Sequence, residues 1–279
     1  MKNVLFATTA LVLTAGVASA EVTFSGTAGA GVVQEAAGAD MRVWSGMDIA
    51  ISATATADSG MTVSVGDDIG GGETIDWDDD YAVDSQASDI GTPAVTIASG
   101  AVTVVFDNDA VDHLDDDAST GDMSISAAMG DATISVVLDV DGETSYAVQE
   151  DFSWSLGYTM GQIALSASGQ GDRSNLGASY TMGDVVVGVS TDDNGAGTTT
   201  NEVTVDYTAG AMTLGLAADD QDDWSVSVSY TAGALTVNFA TDEEDAWEAN
   251  ASYALGGGVT VKAAVNEAEY MAAGINFAF

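Results

Sequence analysis

Val226-Ser227-Val228-Ser229-Tyr230-Thr231-Ala232-Gly233-Ala234-Leu235-Thr236-Val237-Asn238-Phe239 holds the pattern that decides the fold. Large apolar side chains occupy every second position on both flanks, small polar ones fill between, and the chain reverses at Gly233. Successive side chains of an extended strand point to opposite faces, so each flank has one apolar face and one small polar face. The stretch reads as a β-hairpin closed by a tight glycine turn. Its closing element recurs as Tyr158-Thr159-Met160-Gly161, Tyr180-Thr181-Met182-Gly183, Tyr207-Thr208-Ala209-Gly210 and Tyr253-Ala254-Leu255-Gly256. The reversals at the opposite strand ends differ in kind, being rich in acids, as in 192–199, 219–223 and 242–245.

The same alternation runs through Phe152 to Tyr158, Val203 to Tyr207 and Val259 to Ala263. Tight turns fall near 57–60, 99–100, 129–131, 160–162, 182–184, 208–210, 231–233 and 255–258. Eight of them, with both chain ends on their side, imply nine loops on the other side and 18 strands; reading 122–147 without its hairpin leaves 16. A water-soluble sandwich needs a charged outer face, whereas the second face here is Ser, Thr, Gly and Ala, as in a lumen wall. The predicted fold is an all-β, transmembrane, antiparallel up-and-down barrel of 16 to 18 strands, with short periplasmic turns and longer acidic outer loops. Closure would satisfy every backbone hydrogen bond within the lipid bilayer.

Composition narrows the function. Forty-four acids against four basic residues give a net charge of -40, with a mean hydropathy of +0.17. That balance excludes capture of nucleic acid, which needs Lys and Arg to displace counterions, and the apolar content excludes a disordered acidic tail. With no Cys and a single His, His113, neither thiol chemistry nor a Cys/His zinc site can be built, and a Ser-His-Asp hydrolase would rest on that one residue. The chain reads as a channel and not an enzyme. Residues 1–20 carry the features of a signal peptide: basic Lys2, an apolar run from Val4 to Val17, and the small-residue site Ala18-Ser19-Ala20. Residues 21–279 then form one barrel domain.

Residue roles follow from the parity of the strands. Tyr158, Tyr180, Tyr207, Tyr230 and Tyr253 suit an aromatic girdle near the tight turns, and Trp224 and Trp247, each six residues before a girdle Tyr, suit the opposite girdle. Arg42 and Asp48 face inward by parity with outward Val43, Met47 and Ile49, as does Lys262 between Val261 and Ala263. So few wall cations leave the lumen negative, which selects cations. Among the acid runs, Asp76, Asp78, Asp79 and Asp80 are candidate oxygen ligands for Ca2+, though such runs more often form a solvated face. A secreted or surface calcium-binding structural β-protein is the alternative reading; it should show a fixed short repeat such as G-G-x-G-x-D, and none is present. Gly70-Gly71-Gly72 and Gly256-Gly257-Gly258 read as loop or turn segments.

The opening Met1 to Ala10, Glu21-Val22-Thr23-Phe24-Ser25-Gly26, the turn Ala57-Asp58-Ser59-Gly60 and the ending Gly274-Ile275-Asn276-Phe277-Ala278-Phe279 resemble the Rhodobacter-type porins of alphaproteobacteria. The resemblance implies a homotrimeric general-diffusion porin in the outer membrane of a Gram-negative bacterium, passing ions and small hydrophilic solutes without a cofactor. It also implies that a third outer loop folds into the lumen; by order along the chain that loop runs from Asp107 to Gly121 and holds Asp109, Asp112, His113, Asp115, Asp116 and Asp117. The wall arginine cluster usual in such porins is nearly absent here. Phe277 and Phe279 stand where the outer-membrane insertion machinery reads the last strand of such proteins.

Overall fold

Alternation drives almost the whole chain into strands. The computed structural model describes residues 21–79, 82–87, 90–113, 120–140 and 152–279. In chain order the strands are β1 (Glu21–Gln34), β2 (Arg42–Thr56), β3 (Thr62–Asp79), β4 (Ala82–Ala87), β5 (Ala94–Ser99), β6 (Val102–Asp112), β7 (Thr120–Met129), β8 (Ala132–Leu138), β9 (Phe152–Met160) and β10 (Ile163–Gln170). They continue as β11 (Arg173–Met182), β12 (Val185–Asp193), β13 (Thr199–Ala209), β14 (Met212–Asp219), β15 (Trp224–Ala232), β16 (Leu235–Asp242), β17 (Trp247–Gly256), β18 (Val259–Asn266) and β19 (Met271–Ala278). No helix occurs among the described residues.

Each strand pairs antiparallel with its neighbours, with one exception that matters for the lumen. The first part of β3 pairs with β2 and β5, whereas its second part, from Glu73, pairs only with β4. β4 therefore stands outside the wall, and the wall contains 18 strands, within the range the sequence predicts. The ring closes where β1 meets β19, from Thr27 opposite Ala278 to Gln34 opposite Met271. One residue beyond, Gly26 and Phe279 exchange both backbone hydrogen bonds at 2.9 and 3.0 Å. No wall edge is left to face hydrocarbon, where an unpaired peptide group costs several kcal/mol.

Most turns of the two rims differ in chemistry, although a glycine-led two-residue turn, Gly171-Asp172, joins β10 to β11 on the acidic rim. On one rim, two-residue loops such as Gly130-Asp131 and Gly233-Ala234 connect Met129 to Ala132 and Ala232 to Leu235. Their first residue has φ of 61 to 64° at Gly100, Gly130, Gly161, Gly183, Gly210 and Gly233, and the second is not left-handed. That is the type II′ turn, whose twist matches the strands it joins and whose first position favours Gly. The other rim repeats an Asx-capped loop. The side-chain oxygen of Asn194, Asp219, Asp242 or Asn266 accepts the backbone N–H groups two and four residues on, at 2.8 to 3.2 Å. The residue three positions on is left-handed in each: Gly197, Asp222, Asp245 and Glu269.

These loops also link neighbouring hairpins. Asp220 accepts from the backbone N–H of Asn201 at 2.9 Å, Glu243 from that of Trp224 at 3.0 Å, and Glu267 from that of Trp247 at 3.4 Å. The acids that read from sequence as a solvated face are in part the rim's own hydrogen-bond acceptors.

The outer face is apolar and the inner face is not. Val43, Leu176, Val189 and Phe239 lie exposed on the outside, while their chain neighbours Trp44, Gly177, Gly188 and Asn238 point inward. A soluble protein could not leave so much apolar surface open; a bilayer accepts it. Burial is concentrated in one cluster on the inner wall, Val33, Trp44, Ile75, Trp77, Ala264, Tyr270 and Ala272.

Candidate pore lining

The cluster exists because the second outer loop turns into the barrel. β3 leaves the wall where Gly46 faces Gly72. Gly72 is left-handed at φ 87°, a Cβ on it would collide with the Ser45 carbonyl, and a Cβ on Gly46 would collide with the backbone of Glu73. Gly70, Gly71 and Gly72, expected as a loop, thus lie inside β3 and form the bend that tips its second part over the rim. Arg42 holds the bend by ion pairs to both Glu35 and Glu73.

Beyond the bend, the β3–β4 hairpin lies against the inner wall of β1, β2, β18 and β19. Trp44 lies flat on Gly29, Gly31 and Gly274, where any Cβ would strike its indole. The ring of Trp77 meets Trp44 edge to face, with centroids 5.9 Å apart. Lys262 Nζ stands 5.7 Å from the centre of the Trp77 ring, within reach of a cation–π attraction. The Trp77 Nε1–H donates to the Asn276 side-chain oxygen at 3.2 Å once that amide is oriented by its partners. Lys262 is four residues below Asn266, so the contact lies about 13 Å down from the acidic rim.

Across the lumen, the wall from β10 to β14 is built from the smallest side chains. Gly177, Gly188 and Gly215 face inward beside Ser166, Thr204 and Ser227, and a Cβ on any of the three would collide with the neighbouring hydroxyl or crowd it to 2.5 Å. A recess of about 290 Å³ runs along Ser166, Gly177, Ser179, Gly188, Ser190, Glu202 and Thr204. The charges of this wall are acidic apart from Arg173 at the rim end of β11. Glu202 accepts from the Ser190 hydroxyl at 3.4 Å, Asp192 accepts from the Asn175 amide at 3.4 Å, and Asp206 is exposed on the same inward face of β13.

The residues singled out from sequence are distributed over several places. Arg42, Asp48 and Lys262 face inward, but Arg42 is tied to two carboxylates and Lys262 stands over an indole. Asp107 accepts from the Thr92 hydroxyl at 3.0 Å, and Asp112 ends β6 opposite Thr120. His113 is buried, its Nδ1 2.9 Å from the hydroxyl of Ser153 on the inner face of β9. The side chain of Asp109 and residues Asp115, Asp116 and Asp117 lie outside the described residues. Of the candidate cation ligands, Asp80 and the side chains of Asp78 and Asp79 lie outside them too. Asp76 is placed in β3, and among the described residues no three His, Asp or Glu side chains form a group able to hold a metal ion.

Glu202, Asp206 and Asp192 were missed by the sequence reading, although the signal was present. Outward Val203, Val205 and Tyr207 fix the parity that turns Glu202 and Asp206 inward. Tyr158, Tyr180, Tyr207, Tyr230 and Tyr253 all lie exposed on the outer face near the glycine turns, and Trp224 lies there at the acidic rim; Trp247 is half-buried at the same rim. Phe277 and Phe279 also face outward, their rings 5.7 Å apart.

Two rim acids titrate away from their ordinary values. Asp220 is held down at about 2 by hydrogen bonds from the Asn201 side chain and backbone and from Gln221. Asp223 is pushed up by desolvation and by the charges of Asp219, Glu243 and Asp222.

Comparison with known proteins agrees with this architecture. The family model for Gram-negative porin matches residues 7–273. No curated protein sequence matches the chain. Among solved structures, a triple mutant of Rh. blastica porin superposes with a TM-score of 0.55 at 17% identity, covering 92% of this chain and 100% of that one. Another triple mutant, of Rhodopseudomonas blastica porin, gives 0.54 at 16% identity over 93% of this chain and all of the other.

Proposed function

The chain belongs to the Gram-negative porin family, an outer-membrane β-barrel channel, and on that premise we propose that it is a passive, cation-preferring diffusion pore for ions and small hydrophilic solutes. One observation carries the preference. The two inward cations at the docked wall are both occupied, Arg42 by Glu35 and Glu73 and Lys262 by the face of Trp77, while Asp192, Glu202 and Asp206 line the opposite wall. A unit charge about 4 Å from an ion in water is worth roughly 1 kcal/mol, and tenfold selection needs about 1.4. Two or three such carboxylates therefore support a several-fold preference, which salt weakens by screening.

We infer the remaining assignments from the same premise. The channel works without a cofactor, residues 1–20 are removed on export, and the terminal Phe279 is read by the insertion machinery. Subunits associate as homotrimers; the flat outward surface of β1 and β17 to β19, with Ala28, Ala30, Ala249, Ala251, Ala263 and Ala273, supports this, since close packing of sheets favours small side chains. The tyrosines and Trp224 and Trp247 sit in the two membrane interfaces. Reversal potentials of the reconstituted channel across a KCl gradient test the central point. The sign expected is that of a cation-selective pore, shrinking as total salt rises; an anion-selective sign would sink the proposal.

A further inference from the structure

We propose that Trp77 is a positioning residue that holds the β3–β4 hairpin inside the lumen, and that this docked hairpin, from the second outer loop, sets the size limit of the pore. The inference rests on the channel reading and deepens it. A hairpin that merely lay over the rim would have no reason to bury an indole among wall residues that otherwise face water. Here Trp77 is 5% exposed and Trp44 2%, and each feature around them serves the docked position. Gly29, Gly31 and Gly274 clear the floor for Trp44, and Trp44 is the ring against which Trp77 packs. Asn276 takes the indole N–H, and Lys262 caps its face. Gly46 and Gly72 permit the bend, and Arg42 fixes Glu73 at its start. Ile75, two residues before Trp77 and therefore on the same face of β3, is buried with it.

The consequence is an off-centre pore. The hairpin is two strands wide, or about 10 Å with its side chains, and lies against the wall that runs from β17 through β19 to β2. What remains open is bounded by the Gly, Ser and Thr wall of β10 to β14, whose small side chains leave the path wide on that side.

Single-channel conductance and the uptake rate of neutral sugars of increasing size test this in the full-length protein. Trp77→Ala should raise conductance on the order of twofold and admit larger sugars, while Trp77→Phe, which still fills the floor, should stay near the parent. Migration on unboiled gels reports folding separately. Should Trp77→Ala fail to fold, replacement of residues 73–89 by a short Gly-Ser linker gives the same reading, because it leaves the wall pairs of β3 with β2 and β5 in place. A folded Trp77→Ala or linker variant with the parent's conductance and size limit would overturn the proposal. A parent protein that conducts nothing would instead sink the channel reading, so the two failures are distinct.

Discussion

The two sides of the lumen are made of the same period-two strands and hold opposite contents. On the side of β1, β2, β18 and β19, inward positions carry Val33, Trp44, Lys262, Ala264 and Ala272, and a hairpin lies on them. On the side of β10 to β14 they carry mostly Gly, Ser, Thr and carboxylates, with Arg173 at the rim, and no described element covers them. The difference shows that inward parity fixes only which way a side chain points. Whether that side chain meets water depends on what a loop elsewhere brings against it. An inward Lys at the docked wall is therefore weak as a pore charge, and an inward Glu at the bare wall is strong.

The largest test of the contrast concerns the seam. The docked wall contains the joint between β1 and β19, so the hairpin's floor exists only if the ring closes. Removing Phe279 takes away the two backbone hydrogen bonds to Gly26 and the ring against Phe277. Deletion of Phe279 should leave export intact and abolish folded barrel in the outer membrane. Leu176→Ala, at an equally exposed outward position in the bare wall, should fold as the parent does. Equal yields of folded barrel from both variants, measured by heat-modifiable migration, would show that the seam is not the vulnerable side.

A smaller effect separates the two walls by charge. Glu202→Gln with Asp206→Asn should lower the cation-to-anion permeability ratio several-fold, by the same Coulomb magnitude that supports the preference. Lys262→Gln should change it little, because its ammonium stands over the Trp77 face at the docked wall, away from the open path. Reversal potentials in a dilute KCl gradient decide between them, and a larger shift from Lys262→Gln would mean that ions pass along the docked wall.

Much of this was legible in the sequence, for a physical reason that also marks its limit. Strand and turn are local: alternation such as that in Val226 to Tyr230, with a glycine at each reversal, marks all eight tight turns, and six of them are type II′ turns, which need Gly at one defined place. The Asx-capped loops were equally local, with Asp219, Asp242 and Asn266 each three residues before a left-handed Asp or Glu, yet the eye sees only acidity there. Trp77 is different. Nothing within ten residues of it says that three glycines in β1 and β19 make room for Trp44, or that Lys262 and Asn276 wait on the far end of the chain. The family resemblance pointed to the third outer loop as the element that enters the lumen, and the structure carries His113 of that loop to Ser153. The hairpin of the second loop was visible only once closure had brought β2, β18 and β19 together.

The smallest effect lies on the acidic rim above β14 and β15, where two acids three residues apart respond to pH with opposite sign. Asp220 has a folded pKa of about 2, below its ordinary 3.8, chiefly because the Asn201 side chain donates to its ionised form. Its stabilisation is present above about pH 4 and is lost as pH falls through about 2. Asp223 is raised, first by desolvation and then by Asp219, Glu243 and Asp222, so its ionised form opposes folding at neutral pH and protonation relieves that cost. Asp220→Asn should lower the temperature of the unboiled-to-boiled gel shift at pH 7, and Asp223→Asn should raise it. Both shifts should be slight, no more than roughly 2 °C, since both carboxylates are solvent-screened. The gain from Asp223→Asn should vanish first on acidification, before the loss from Asp220→Asn does. The same sign from both variants at pH 7 would show that Asn201 does not hold Asp220, and with it that the rim loops are not stapled to their neighbouring hairpins.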